Sequence, residues 1–176
     1  MEKSKKENIF YFNLIIRYTI LLFIGLLGIH FIYLILTPLT IYPVYFILKL
    51  FYNITIQNSS IFILNYQIEI VEACVAGAAY YLLLILNISV SMNIKQRIYS
   101  LFYSLFVLLA INIIRIVILS FLLVNNFLFF DFTHMLFWYG LSTIFVVAIW
   151  FSEVKIFKIK NIPIYSDIIN LMKIIK

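Results

Sequence analysis

Long apolar runs separated by short polar breaks dominate this chain, and four of them are long enough for a membrane-crossing helix: 13–37, 73–90, 98–124 and 133–152. A spanning helix needs about 20 mostly apolar residues. The stretch 38–52 is also apolar but short, and it opens with Pro38 and Pro43, which break helices. It is expected to form an interfacial or re-entrant helix on the outer face. Between 54 and 71 the period changes. Ile54 and Ile56, Ile61 and Ile63, then Ile68 and Ile70 alternate with polar positions, and Asn58-Ser59-Ser60 and Asn65 interrupt them. That spacing predicts a short outer β-hairpin, or a pair of strands, feeding straight into the helix that begins near Cys74. The pattern as a whole describes an all-α integral membrane protein. About four transmembrane helices, the outer segment 38–72 and a basic tail, 153–176, form one transmembrane domain over 1–176.

Composition leaves no room for a soluble reading. Apolar residues make up 65% of the chain, charged residues 11%, and the mean hydropathy is +1.11, too little polar surface to cover a water-soluble fold. The charges that remain gather at span ends. Lys3, Lys5 and Lys6 precede the first run, Lys95 and Arg97 lie in the 91–97 loop, and Lys155, Lys158 and Lys160 lie in the tail. The connections 38–72 and 125–132 carry Lys49 against Glu69, Glu72 and Asp131. The positive-inside rule then places both termini and the 91–97 loop in the cytoplasm of a multi-pass cell-membrane protein. The net charge of +6 is therefore an orientation signal, and nucleic acid is not an expected partner. The first run is longer than a signal-peptide core and is read as a retained span. The tail reads as a helix lying on an anionic inner leaflet. A single cysteine excludes an internal disulfide.

Three rare residues carry the candidate chemistry: Cys74, Arg115 and His134. Cys74 is the only cysteine, and Arg115 is the only charge between Arg97 and Asp131. A charge at the centre of a spanning helix costs about 2.5–3.5 kcal/mol on insertion scales, so an intramembrane arginine marks a functional site with a partner. Depth aligns the three. Cys74 opens the second span from outside, Arg115 lies about 25 Å of helix from the inner end of the third, and His134 opens the fourth. All three fall in the outer leaflet. A guanidinium stabilises a thiolate and a developing oxyanion, and an imidazole can take the thiol proton and pass it to a leaving amine. Thiol, base and oxyanion donor are the parts of acyl transfer. Taken singly, each has a plainer explanation: a cysteine as apolar filler, a histidine as interfacial anchor, an arginine that snorkels. Around them, Gly77 and Ala73 are small residues that let a backbone approach closely, Asn112 shares a helical face with Arg115 and is placed to hold the guanidinium, and Glu72 lies at the outer surface. His30 and His134, without an acidic pair on a span, make a poor metal site. No cofactor is expected.

An isoleucine-rich strand running into Glu72-Ala73-Cys74, followed by Asn112-Ile-Ile-Arg115-Ile116 in a span and His134 at the start of a later one, resembles the core of the exosortase/archaeosortase family over about residues 54–152. Where that family commonly shows Cys-Ser-Gly, this chain reads Cys74-Val75-Ala76-Gly77. The resemblance implies an outward-facing cysteine protease/transpeptidase. Its substrates would be exported proteins bearing a C-terminal sorting signal, cleaved near a short motif and passed to a membrane lipid or another acceptor. It also implies roles: Cys74 as nucleophile, Arg115 as stabiliser of the thiolate or oxyanion, and His134 as general acid and base. Two other readings of the same residues stand beside it. One is a non-catalytic membrane scaffold or assembly factor with Arg115 and Asn112 as helix–helix polar contacts. The other is a small carrier whose Arg115 holds an anionic head group.

Overall fold

The apolar runs fold into helices that pack around two cores, joined by a small sheet at one end. The computed structural model describes the backbone of residues 2–57 and 59–175, and side chains within that range except at 2–10, 26–30, 72–73 and 173–175. Helix α1 runs unbroken over Glu2–Lys49, 48 residues, which is about 72 Å at 1.5 Å per residue. Pro38 and Pro43 lie inside it, so the separate interfacial or re-entrant helix expected at 38–52 does not exist as an element. Each proline removes one ladder hydrogen bond, a loss of about 3 kcal/mol in an isolated helix. Packing outweighs it here. Thr40, Ile41, Val44 and Leu48 are buried on one face of this segment, and three of them join the core beneath the sheet.

That sheet has three strands where a hairpin was expected. Strands β1 (Ile54–Gln57), β2 (Ser60–Ile63) and β3 (Tyr66–Glu69) form an antiparallel meander in the order β1-β2-β3. Ile54 faces Ile63, and Ile61 faces Ile68, so the alternating isoleucines share one side. Ile54, Ile61, Ile63 and Ile70 are buried against Ile41, Val44, Leu48, Val75 and Ile116. The second turn is only Leu64-Asn65; it places a leucine at a positive φ of 52° and lacks the glycine that marks a two-residue hairpin loop in a sequence.

The expected helix over 73–90 is also divided. A single turn, α2 (Glu72–Val75), stops at Ala76, whose φ of 60° and ψ of 35° are left-handed, and α3 (Gly77–Ser89) restarts beyond it. At 13 residues, α3 is shorter than a full crossing. Helix α4 covers Ile94–Val124. Then α5 (Phe130–Met135), a π-helical segment (Leu136–Leu141) and α6 (Ser142–Ile156) form one continuous rod. Helix α7 (Tyr165–Ile175) closes the chain. Among the described residues, three helices are long and apolar enough to cross a membrane: Phe31–Lys49, Ile94–Val124 and Phe130–Ile156.

Polar side chains inside this body sit at its two ends. At one end, Arg17 of α1 pairs with Asp167 of α7 at 2.7 Å and donates to the Ser89 carbonyl. Asn161 and Gln96 tie the tail to the α3–α4 loop and to the start of α4. Nearby, Asn87, Ser100 and Glu153 hydrogen-bond across α3, α4 and α6. The sheet, α2 and α5 lie at the opposite end, with the core of Tyr80, Leu83, Leu108, Val146 and Ile149 between.

Gly77 shows how closely α1 and α3 approach. A Cβ there would lie 2.6 Å from the Tyr33 ring. We expect Gly77→Ala to lose about 1–3 kcal/mol through overpacking. Ala76→Gly, which relieves a left-handed alanine, should be neutral or stabilising. Unfolding of the two purified variants in one detergent checks both; equal losses would mean that the close approach is not what selects glycine.

Candidate active site

The break at Ala76 creates the site. In an unbroken helix the Cys74 carbonyl would accept from the amide four residues on, but the left-handed turn takes that amide away. An unpaired carbonyl in an apolar interior costs about 1–3 kcal/mol. Two side chains from α4 take it instead: Asn112 Nδ2 donates at 3.0 Å and Arg115 Nη2 at 2.9 Å. These residues are three apart, so they share one helical face. This revises the expected role of Asn112. It does not hold the guanidinium but joins it on a common acceptor. Asn112 is buried, and its side-chain oxygen has no hydrogen-bond partner among the described residues.

What holds the guanidinium is Ser142. Arg115 Nη1 donates to Ser142 Oγ at 3.2 Å, and that hydroxyl donates to the Phe137 carbonyl at 2.6 Å. The second bond reaches back five residues along the π-helical segment, where a wider turn directs a carbonyl to it. Arg115 thus links α2, α4 and the start of α6. No carboxylate lies within ion-pairing distance of it among the described residues. Its charge lies within electrostatic reach of the Cys74 thiol.

His134 approaches from α5. Its ring stacks on Phe130, one turn back, with centroids 5.9 Å apart and planes 5° apart. Trp138, one turn on, meets it edge-on at 5.7 Å. Aromatic neighbours on both sides fix the imidazole plane. Among the described residues no hydrogen bond joins the imidazole to the thiol.

Cys74, Arg115 and His134 nevertheless line one cavity of about 120 Å³. Its other walls are Ile68, Glu69 and Ile70 from the end of the sheet, mostly apolar residues of α4 together with Ser120, and Phe130, Phe137 and Trp138. Three residues spread over 60 positions, 74 to 134, meet where depth alone had placed them at one level. Gly77 does not line this cavity. It is a packing residue against Tyr33. The Glu72 and His30 side chains lie outside the described residues. Ser142 and Glu69 were missed by sequence reasoning. Ser142 had a usable signal as a hydroxyl in an apolar run at the depth of Arg115, whereas Glu69 reads as any strand-end acid.

No protein-family model, curated protein or solved structure matches this chain.

Because Asn112 and Arg115 share one acceptor, either alone keeps the Cys74 carbonyl paired. Asn112→Ala is therefore expected to cost about 1 kcal/mol, and the double variant with Arg115→Ala more than the sum of the two single changes. A double-variant cycle from denaturant unfolding in detergent measures the coupling; strict additivity would mean that the donors act on separate acceptors.

Proposed function

We propose that this protein is an outward-facing cysteine protease/transpeptidase of the membrane, acting on exported proteins that carry a C-terminal sorting signal, as its resemblance to the exosortase/archaeosortase family implies. The convergence of Cys74, Arg115 and His134 on one apolar cavity carries the reading. The orientation draws support from the gathering of Arg17, the α3–α4 loop and the basic tail at the end opposite the cavity, as the positive-inside rule requires if that end is cytoplasmic.

On this reading His134 takes the thiol proton, and the sulfur of Cys74 bonds to the scissile carbonyl carbon. The guanidinium of Arg115 opposes the charge first on sulfur and then on the oxyanion. Collapse breaks the C–N bond, His134 returns its proton to the leaving amine, and a thioester remains on Cys74. A hydroxyl or amine on a membrane lipid, or another acceptor, then attacks the thioester and restores the thiol. Catalytic hydrogen bonds often tighten only with substrate in place, so the open thiol–imidazole gap of the free protein is compatible with this sequence. The apolar walls suit an uncharged side chain of the substrate. The exposed Phe127, Leu128, Phe129, Phe132 and Leu136 beside them suit an acceptor that arrives from the lipid phase.

One observation favours the scaffold alternative. Among the described residues the hydrogen bonds of Arg115 go to the Cys74 carbonyl and to Ser142, and those bonds alone would join three helices.

The thiol separates the readings. In membranes, a membrane-impermeant maleimide added from outside should alkylate Cys74 rapidly, and Arg115→Ala should slow the reaction about tenfold or more by removing the positive charge that opposes charge developing on sulfur. Cys74→Ala should leave co-expressed exported proteins with their C-terminal hydrophobic helix uncleaved. Slow alkylation indifferent to Arg115, with processing intact in Cys74→Ala, would move the scaffold to the front.

A further inference from the structure

The β3 edge of the sheet is open, and it ends at the Cys74 cavity. Pairing to β2 uses alternate residues. Ile70 donates to the Ser59 carbonyl at 2.9 Å, and in an antiparallel ladder hydrogen-bonded pairs alternate with non-bonded ones. With the register Ser60–Glu69, Ile61–Ile68, Phe62–Gln67 and Ile63–Tyr66, the inward-facing amides and carbonyls belong to Tyr66, Ile68 and Ile70. Those of Gln67 and Glu69 therefore point outward, away from β2. Neither residue's backbone has a partner there among the described residues, and both residues are exposed. The opposite edge, β1, packs on α1 and is two strands away from Cys74. Ile68, Glu69 and Ile70 themselves wall the cavity.

We propose that this edge is the substrate's backbone-binding site: an extended peptide adds to β3 as a fourth strand and is carried by it to the Cys74 thiol. The proposal rests on the cysteine peptidase reading and names how that site holds its substrate. The occupant is the segment N-terminal to the scissile bond. The sheet precedes Cys74 and stands at the end away from the basic tail, so the exported part of a substrate lies beside the sheet while its C-terminal helix lies in the membrane. That segment runs toward Cys74 in the same direction as β3, and the pairing is parallel. Gln67 and Glu69 then each give one N–H and one C=O to the peptide, which binds through alternate residues. Main-chain pairing of this kind accepts many sequences. Selectivity is left to the side chain that turns into the apolar cavity.

The test uses the full-length protein in detergent, with Cys74 as its only thiol, and a capped tetrapeptide of alanine and leucine ending in a chloromethyl ketone. The sulfur bonds to the methylene carbon, chloride leaves, and the thiol proton passes to buffer. The readout is the alkylation rate of Cys74 relative to that with the one-residue chloromethyl ketone. The tetrapeptide should react about tenfold faster or more, and methylating the peptide nitrogens one at a time should lower that advantage about fivefold to tenfold at alternate positions only. In the protein, Gln67→Pro removes an outward N–H from an edge strand without touching the β2 ladder; it should abolish most of the advantage, while Gln67→Ala keeps it. An advantage that is absent, or indifferent to every methylation, overturns the proposal, and the methylation series decides even where Gln67→Pro does not fold. Failure of the peptidase reading looks different: the one-residue reagent would react slowly and independently of Arg115, while the tetrapeptide ratio would still report the edge.

Discussion

A peptide carbonyl stranded inside an apolar body must be paired, and the carbonyl of Cys74 is the one on which this structure turns. The left-handed conformation of Ala76 removes the helical partner, and the surrounding packing of α1, α3 and α4 is largely apolar. Asn112 and Arg115 supply the missing donors. Because the acceptor belongs to the residue that carries the thiol, the same two bonds that satisfy the backbone also fix the thiol beside a positive charge. Repair of the break and assembly of the site are one event.

The same arrangement offsets part of the cost of bringing Arg115 into the apolar body, pairing both terminal nitrogens while the buried Nε has no hydrogen-bond partner among the described residues. A guanidinium is tolerated there when its N–H groups find acceptors. Here the acceptors are a carbonyl freed by the helix break and a serine whose own proton goes to a π-helical carbonyl. Two irregularities of backbone, the left-handed residue and the π-helical turn, thus serve one side chain. His134, outside this network, is oriented by ring contacts, with no hydrogen bond to its imidazole among the described residues.

At the other end, polar groups serve cohesion. Asn87, Ser100, Ser104 and Glu153 tie α3, α4 and α6 together, and Arg17 with Asp167 returns the tail to α1. The tail is therefore more than a basic surface helix. Asp167, unremarkable in a list of seven acids, is among its anchoring residues because a buried arginine 150 positions earlier requires a counter-charge.

Hydropathy, the clustering of charge at span ends and the scarcity of cysteine, arginine and histidine in apolar runs are local properties. The sequence by itself therefore determined a helical membrane protein, a small isoleucine-faced sheet ahead of Cys74, and the candidate trio Cys74, Arg115 and His134. Rotation about a helix axis, by contrast, is invisible in a run that is apolar on every side. Only tertiary structure could decide that Arg115 turns toward Cys74, that Asn112 joins it there and that Ser142 completes the fork. The same holds for the continuity of α1 and for the break between α2 and α3. Pro38 and Pro43 interrupt hydrogen bonds wherever they occur, but whether the helix survives depends on the burial of Ile41, Val44 and Leu48 against the strands that follow and against Val75 and Ile116 farther along the chain. Ala76 is of the residue type with the highest helix propensity, yet it is left-handed, where Gly77 packs against Tyr33 and the Cys74 carbonyl is taken by α4. Propensity is set residue by residue, whereas the competition between it and long-range packing is settled only once the partners meet.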